Sequence, residues 1–209
     1  MRFVLVSAGP VGPLALAQIM PSDYVIACDG GWRHLEKLGR KPDLVVGDFD
    51  SSQPPQLEQV VVLPTEKDDT DTHYAARLAL ERGARQVLML GGVGGARMEH
   101  TLANIGTALW LQKQGCQAEL HSEESRLCIL CSGQQKRIPH NPEQYFSLFP
   151  LEGISTGVSI TGAKYPLQEG VLEPQFPLAV SNETCPEGAC ITAGQGALLM
   201  VITQKDKQN

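Results

Sequence analysis

Positive charge is in deficit: 17 Lys and Arg stand against 23 Asp and Glu, leaving a net charge of −6 across 209 residues. A general nucleic-acid binder needs a basic footprint, so no nucleic-acid partner is expected. No apolar run approaches the ~20 residues of a membrane span, so no membrane partner is expected either. Cysteines number only six, too few to build a disulfide scaffold at this length, and no second CxxC recurs at zinc-site spacing. A reduced, cytoplasmic protein follows. Cys128 and Cys131 form one CxxC, a possible redox or metal half-site, yet the string Leu-Cys-Ile-Leu-Cys reads better as a strand with buried thiols. Arg2 with the apolar residues behind it and Leu14-Ala15-Leu16-Ala17 imitates a secretory signal. Gly9, Pro10, Gly12 and Pro13 interrupt that run, and cleavage would remove the first strand, so no cleaved signal is expected.

What is present suits a folded chain: 42% hydrophobic and 19% charged residues, enough for one large or two small domains. Short β-branched runs alternate with helical stretches in the first half. Phe3 to Val6 reads as a strand, with a helix from Pro13 to Met20. Tyr24 to Cys28 precedes a helix over Gly31 to Leu38. Leu44 to Val46 and Val60 to Leu63 follow as strands, then a helix over Asp71 to Arg82, a strand over Gln86 to Leu90, and a helix from about His100 to Gln114. Such alternation predicts a parallel sheet with helical crossovers.

Beyond about Ala118, short apolar runs punctuated by Gly and Pro replace helical periodicity: Leu127 to Cys131, Tyr145 to Phe149, Val158 to Ile160, Val171-Leu172, Ala189 to Ile191 and Leu198 to Ile202. An antiparallel sandwich or small barrel is expected there. The joint is expected within Ser132 to Pro142, giving domains over 1–131 and 132–209.

Seven carboxylates, Asp29, Asp43, Asp48, Asp50, Asp68, Asp69 and Asp71, fall near predicted strand ends or in the loops after them, where an open parallel sheet has its ligand crevice. Like charges gathered in a cleft repel, a cost tolerated when a hard cation binds among them. Mg²⁺ with a polyphosphate is the natural occupant. In Gly47-Asp48-Phe49-Asp50-Ser51, an extended backbone would aim both carboxylates to one side and Phe49 toward the core; the competing reading is a solvated turn. Lys67-Asp68-Asp69-Thr70-Asp71 opens a helix with Ala75, Leu78 and Ala79 on one face. Thr70 or Asp71 is its N-cap, and a helix N-terminus also attracts phosphate. His73 reads as helix surface rather than ligand, because no second His stands at ligand spacing.

Gly91-Gly92-Val93-Gly94-Gly95-Ala96-Arg97-Met98-Glu99-His100 follows a strand and opens a helix. Its glycines let backbone N–H groups approach an anion, and Arg97 offers a planar fork to phosphate oxygens. It is neither a Walker loop nor a GxGxxG fingerprint at its usual first turn. A flexible turn with an exposed Arg is the competing reading.

Taken in order, these motifs resemble the thiamine pyrophosphokinase (thiamine diphosphokinase) family. The likeness runs through Ala27-Cys28-Asp29-Gly30-Gly31, Pro42-Asp43, Gly47 to Ser51, Lys67 to Asp71 and Gly95 to His100. It continues through Gly157-Val158, Gly162 to Leu167, Val180-Ser181-Asn182-Glu183 and Gly194 to Leu199. Ala96 stands where that family usually has glycine, and Glu99 where it has Asp.

The resemblance implies an α/β fold, a Rossmann-like parallel-sheet catalytic domain followed by an all-β sandwich that binds thiamine and dimerises. It implies transfer of the diphosphoryl group of ATP to the thiamine hydroxyl, with Mg²⁺, in a homodimer whose active sites are composite. On that reading Asp48, Asp50 and Asp71 hold the metal, with Asp68 a ligand through water. Arg97 is catalytic and, with Lys67, contacts phosphate. Asp29, Gly30, Gly31, Gly94, Gly95 and His100 line the ATP site, and Ser181 and Asn182 meet thiamine across the subunit boundary. Two rivals remain: a diphosphokinase for another hydroxymethyl heterocycle such as a pterin, and a Mg-nucleotide sensing module without turnover.

Overall fold

The computed structural model describes residues 1–50, 53–66 and 68–205, and the chain divides into two compact units, Met1–Glu123 and Glu124–Asn209. In the first unit, six strands form a parallel sheet: β1 (Arg2–Val6), β2 (Tyr24–Cys28), β3 (Leu44–Gly47), β4 (Val60–Val62), β5 (Gln86–Leu90) and β6 (Gln117–His121). Their spatial order is β4-β3-β2-β1-β5-β6. The chain winds outward from β1 to β4, then restarts beside β1 with β5. That reversal is the topological switch point, where the crevice at the carboxyl ends of the strands accepts ligands. The β1–β5 pairing runs past the strand ends, Ser7 N donating to Leu90 O (2.8 Å) and Gly9 N to Gly91 O (3.0 Å).

Sequence dictates this arrangement directly. Phe3 to Val6, Val25 to Ala27 and Val45-Val46 have no exposed surface, as strands covered on both faces require. Four helices join them: α1 (Pro13–Leu16), α2 (Trp32–Lys37), α3 (Asp71–Glu81) and α4 (Met98–Lys113). A short 3₁₀ turn, Asp29–Gly31, precedes α2. The helix expected to reach Met20 stops at Leu16, because the chain tightens through Gln18 N to Ala15 O (3.2 Å) and Ile19 N to Leu16 O (3.1 Å), and Pro21 follows. Gln18 also gives its carbonyl to Arg2 Nη2 (2.7 Å). Thr70, of the two expected caps, is the N-cap of α3, its hydroxyl accepting from His73 N (3.1 Å). Ala75 and Ala79 are buried on that helix as its period predicts, joined by Thr72 and Ala76.

The second unit is antiparallel throughout. It contains β7 (Ser125–Leu130), β8 (Gln135–Ile138), β9 (Gln144–Pro150), β10 (Ser155–Thr161), β11 (Leu167–Leu172), β12 (Ala189–Thr192) and β13 (Leu198–Gln204). Two runs form, β7-β13-β9 and β11-β10-β12-β8, and one core takes side chains from both, among them Leu130, Leu148 and Leu198 with Ile138, Ile160 and Ile191. The segment expected to be the joint, Ser132 to Pro142, instead contains β8, paired with β12 from Ala189↔Ile138 to Thr192↔Gln135. The unit boundary falls earlier, at Glu123, since β7 pairs with β13. Among the described residues no helix is long and apolar enough to cross a membrane.

Candidate functional site

At the carboxyl ends of the first unit's strands lies a cavity of about 500 Å³, lined by Ser7 to Pro10 after β1, Cys28 at the end of β2 with Asp29 after it, and Asp48 and Asp50 after β3. Thr65, Asp69 to Thr72, the turn residues Gly91, Gly92 and Gly94 to Arg97, and His100 and Asn104 of α4 complete it. The N-termini of α3 and α4 therefore both reach this cavity. Each brings unsatisfied N–H groups and the positive end of a helix dipole toward whatever anion binds there.

Asp29, Asp48, Asp50 and Asp71 thus share one cavity, as the acid clustering anticipates, and Asp69 joins them while Arg77 Nη2 holds its Oδ2 at 3.1 Å. The route to that convergence differs from expectation at Phe49. Its φ of 52° puts the backbone in the left-handed region instead of the extended one. Phe49 is still buried in the core, so the turn is the means by which a bulky apolar ring goes inward between two carboxylates. Asp50 N then donates to Asp48 Oδ1 at 3.3 Å. Asp29 is also left-handed (φ 46°), and its Oδ1 is buried without a hydrogen-bond partner, the kind of orphaned acceptor a cation or donor would satisfy.

Among the described residues no group of three or more His, Cys, Asp or Glu stands close enough to hold a metal by itself. The donors present are carboxylate and hydroxyl oxygens, which suit a hard cation that takes one or two carboxylates and completes its shell with phosphate and water. At the cavity floor Ser7 Oγ and Thr72 Oγ1 lie 2.9 Å apart, both buried. Beside them burial first, and the charge of Asp71 second, push the Cys28 thiol up to about 12, while the Thr72 and Ser7 hydroxyls pull the other way.

Several expected residues stand elsewhere. Lys67, and Ser51 of the acid pentapeptide, lie outside the described residues. Asp43 precedes β3 at the opposite end of the sheet, where its Oδ2 accepts from Val25 N (2.7 Å). Asp68 is exposed and away from the cavity lining. Gly30 and Gly31 are buried behind the lining; a Cβ on Gly31 would sit 1.8 Å from Val6 O, so that glycine serves close backbone packing. Gly94 and Gly95 do line the cavity with positive φ (80° and 85°), but the Gly94 N–H is already given to Thr101 Oγ1 (3.0 Å). Arg97 reaches the rim with Nε on Glu99 Oε1. His73 is half-buried instead of superficial, its Nδ1 3.0 Å from Thr107 Oγ1.

In the second unit Ser181 is exposed with φ 56°, its N donating to Ser147 Oγ (3.0 Å). Asn182 is 2% exposed, and its amide is spent on its own chain: Oδ1 accepts from Tyr165 N (3.0 Å) and Glu183 N (2.9 Å), and Nδ2 donates to Tyr165 O (2.7 Å). Its visible work is to fix Tyr165 beside Ser181. Sequence reasoning missed Ser7, Thr72 and Asn104 as lining residues. For Asn104 the signal was a polar residue recurring every third position on α4, Thr101, Asn104 and Thr107, among its buried residues.

Residues 17–120 match the family description "Thiamin pyrophosphokinase, catalytic domain", and residues 135–198 match "Thiamin pyrophosphokinase, vitamin B1 binding domain". The thiamine pyrophosphokinase of Bacillus subtilis (strain 168) is 26% identical over 183 residues, covering 84% of this chain and 85% of that one. Its crystal structure superposes with a TM-score of 0.87 at 26% identity, over 99% of this chain and all of that one. A thiamin pyrophosphokinase family protein from Enterococcus faecalis gives 0.80 at 27% identity, with coverage of 99% and 100%. The Candida albicans thiamin pyrophosphokinase shares the fold, with a TM-score of 0.82 at 15% identity, over 98% of this chain and 89% of that one.

Proposed function

The chain belongs to the thiamin pyrophosphokinase family and is an enzyme of that activity, and from this we propose that the acidic cavity of the first unit is where ATP is held and split. The reaction joins the hydroxyl oxygen of thiamine to the β-phosphorus of ATP, breaks the bond between that phosphorus and the bridging oxygen to the α-phosphorus, and releases AMP; the hydroxyl proton leaves to solvent or a carboxylate. Positioning and charge neutralisation carry such a transfer, without a covalent enzyme intermediate.

The observation supporting this is the convergence on one cavity of Asp29, Asp48, Asp50 and Asp71 with Arg97 and two helix N-termini. Anion-seeking groups and carboxylates belong together only where a cation and a polyphosphate bind together. Mg²⁺ bound through Asp48, Asp50 or Asp71 would neutralise the negative charge of the polyphosphate. Arg97 and His100 sit at the N-terminal end of α4 to orient its oxygens. The B1-domain match over 135–198 favours thiamine as the acceptor over a pterin, and a carboxylate-lined cleft is a poor anion sensor without a metal.

Ser181, displayed beside Tyr165 by Asn182, is the residue we place at thiamine, in a homodimer whose partner's second unit completes each active site. The six cysteines form no disulfide among the described residues, which together with ATP as co-substrate supports a cytoplasmic enzyme. AMP release from ATP is the test, measured with thiamine, with a hydroxymethylpterin and with neither. Thiamine-dependent AMP is expected; pterin-dependent AMP, or nucleotide binding without AMP, overturns the reading.

A further inference from the structure

The buried face of α4 carries a polar row where apolar residues would pack more simply. Thr101, Asn104 and Thr107, three residues apart, are 8%, 4% and 3% exposed. Each bonds something outside its own helix. Thr101 Oγ1 accepts from Gly94 N (3.0 Å), Asn104 Nδ2 donates to Gly92 O (2.9 Å), and Thr107 Oγ1 pairs with His73 Nδ1 of α3 (3.0 Å). Burying three polar side chains is unfavourable unless each finds a partner, and here the partners of the first two are backbone atoms of the glycine turn that lines the cavity. Glycines leave a turn free to take many conformations, which opposes ordered binding of an anion. Asn104 stands close enough to the turn that a Cβ on Gly92 would meet its Nδ2 at 2.9 Å.

We infer that Thr101 and Asn104 are positioning residues that hold the Gly91–Gly95 turn in its polyphosphate-binding conformation. They act through the turn and touch no reacting atom. By taking up Gly92 O and Gly94 N they turn a flexible loop into a fixed one. The ordering entropy is then met on folding, not on each encounter with nucleotide. This inference rests on the reading of the cavity as the ATP site.

The experiment measures binding of α,β-methylene-ATP by calorimetry, and KM for ATP and for thiamine, in Thr101→Val, Thr101→Ser, Asn104→Ala, Thr107→Val and Arg97→Ala. Thr101→Val and Asn104→Ala are expected to weaken the analogue and raise the ATP KM about tenfold, with the thiamine KM within about twofold. Thr101→Ser keeps the hydroxyl and stays within about threefold of the parent. Thr107→Val loses a comparable buried bond with no contact to the turn, so it lowers thermal stability without moving ATP binding. If Thr101→Val moves ATP binding less than about twofold, or moves both substrates alike, the row is structural only and the inference falls. Should Asn104→Ala not fold, Thr101→Val decides alone. If Arg97→Ala also leaves the analogue unaffected, the ATP-site reading fails and takes the inference with it; a loss in Arg97→Ala alone sinks only the inference.

Discussion

Arg97, at the cavity rim, lays its Nε on Glu99 Oε1 at 2.7 Å, both side chains exposed, and this hydrogen bond is the main cause holding the Glu99 carboxyl below its usual range. In the proposed ATP site the guanidinium is thus engaged beforehand, and would leave a carboxylate in exchange for phosphate oxygens. Only a group that makes two parallel bonds to phosphate does so to advantage. Arg97→Lys keeps the charge and loses the fork. Steady-state kinetics should show a markedly higher ATP KM, a lower turnover, or both; a variant equal to the parent in both would place Arg97 on the surface alone.

Asp48 and Asp50 flank the inward-turned Phe49, and on the proposed reading neutralising either would leave polyphosphate charge uncompensated at the same cavity. Asp48→Asn and Asp50→Asn are expected to lower kcat by roughly a hundredfold or more, with the circular dichroism spectrum of the parent. Near-normal rates in both would remove these residues from the metal.

Asp23 is 6% exposed and lies in a bidentate pair with Arg2, at 2.9 and 2.6 Å, with Met20 N as a third donor (2.7 Å). Burial pushes its carboxyl up, but the bonds from Arg2 and Met20 and the charges of Arg2 and Arg40 hold it below the ordinary value. A carboxylate whose folded pKa is depressed contributes stability above its unfolded pKa of about 3.9, and that contribution is lost as pH falls through the folded value. Urea unfolding should show the parent's advantage over Asp23→Asn, of order 1–3 kcal/mol at pH 7, shrinking below about pH 4. A difference that does not change with pH would assign the loss to packing.

Asn182→Ala should disturb Tyr165 and Ser181 together, since one amide holds both Tyr165 backbone atoms. Loss of thiamine affinity with ATP binding intact is the expected result. Mixed with Asp48→Asn after subunit exchange, a composite-site homodimer regains about one quarter of parental AMP formation, because half the dimers are mixed and each holds one intact site. No recovery despite verified exchange would mean that each chain carries a complete site.

Most of the sheet was legible because parallel strands covered on both faces must be continuously apolar: Tyr24–Cys28 and Gln86–Leu90 are read from the sequence with the bounds the structure gives. β6 (Gln-Ala-Glu-Leu-His) and β8 (Gln-Lys-Arg-Ile) are half polar, so their sequences carry no such run, and only pairing with β5 and β12 makes them strands. The acid motifs pointed to the meeting of Asp29, Asp48, Asp50, Asp69 and Asp71 at a cavity, but not to the backbone that brings them there. Phe49 takes a conformation that its side chain disfavours, and a two-residue spacing says nothing of it. The local bonds of Asn182 were not legible for a related reason: an amide suited to a ligand is equally suited to a neighbouring peptide group. Asp43 fell at the wrong end of its strand because a carboxylate beside an apolar run does not announce which end is the carboxyl end of the sheet.

Gly31 carries a consequence for how variants of this chain are to be interpreted. With Val6 O 1.8 Å from where its Cβ would be, any side chain pries the 3₁₀ turn from the end of β1, and so separates Asp29 from Ser7. In a saturation scan position 31 would score among the most intolerant, beside residues that meet the nucleotide. Its intolerance gauges the spacing between two walls, and a null phenotype there reports on carpentry and not on phosphate.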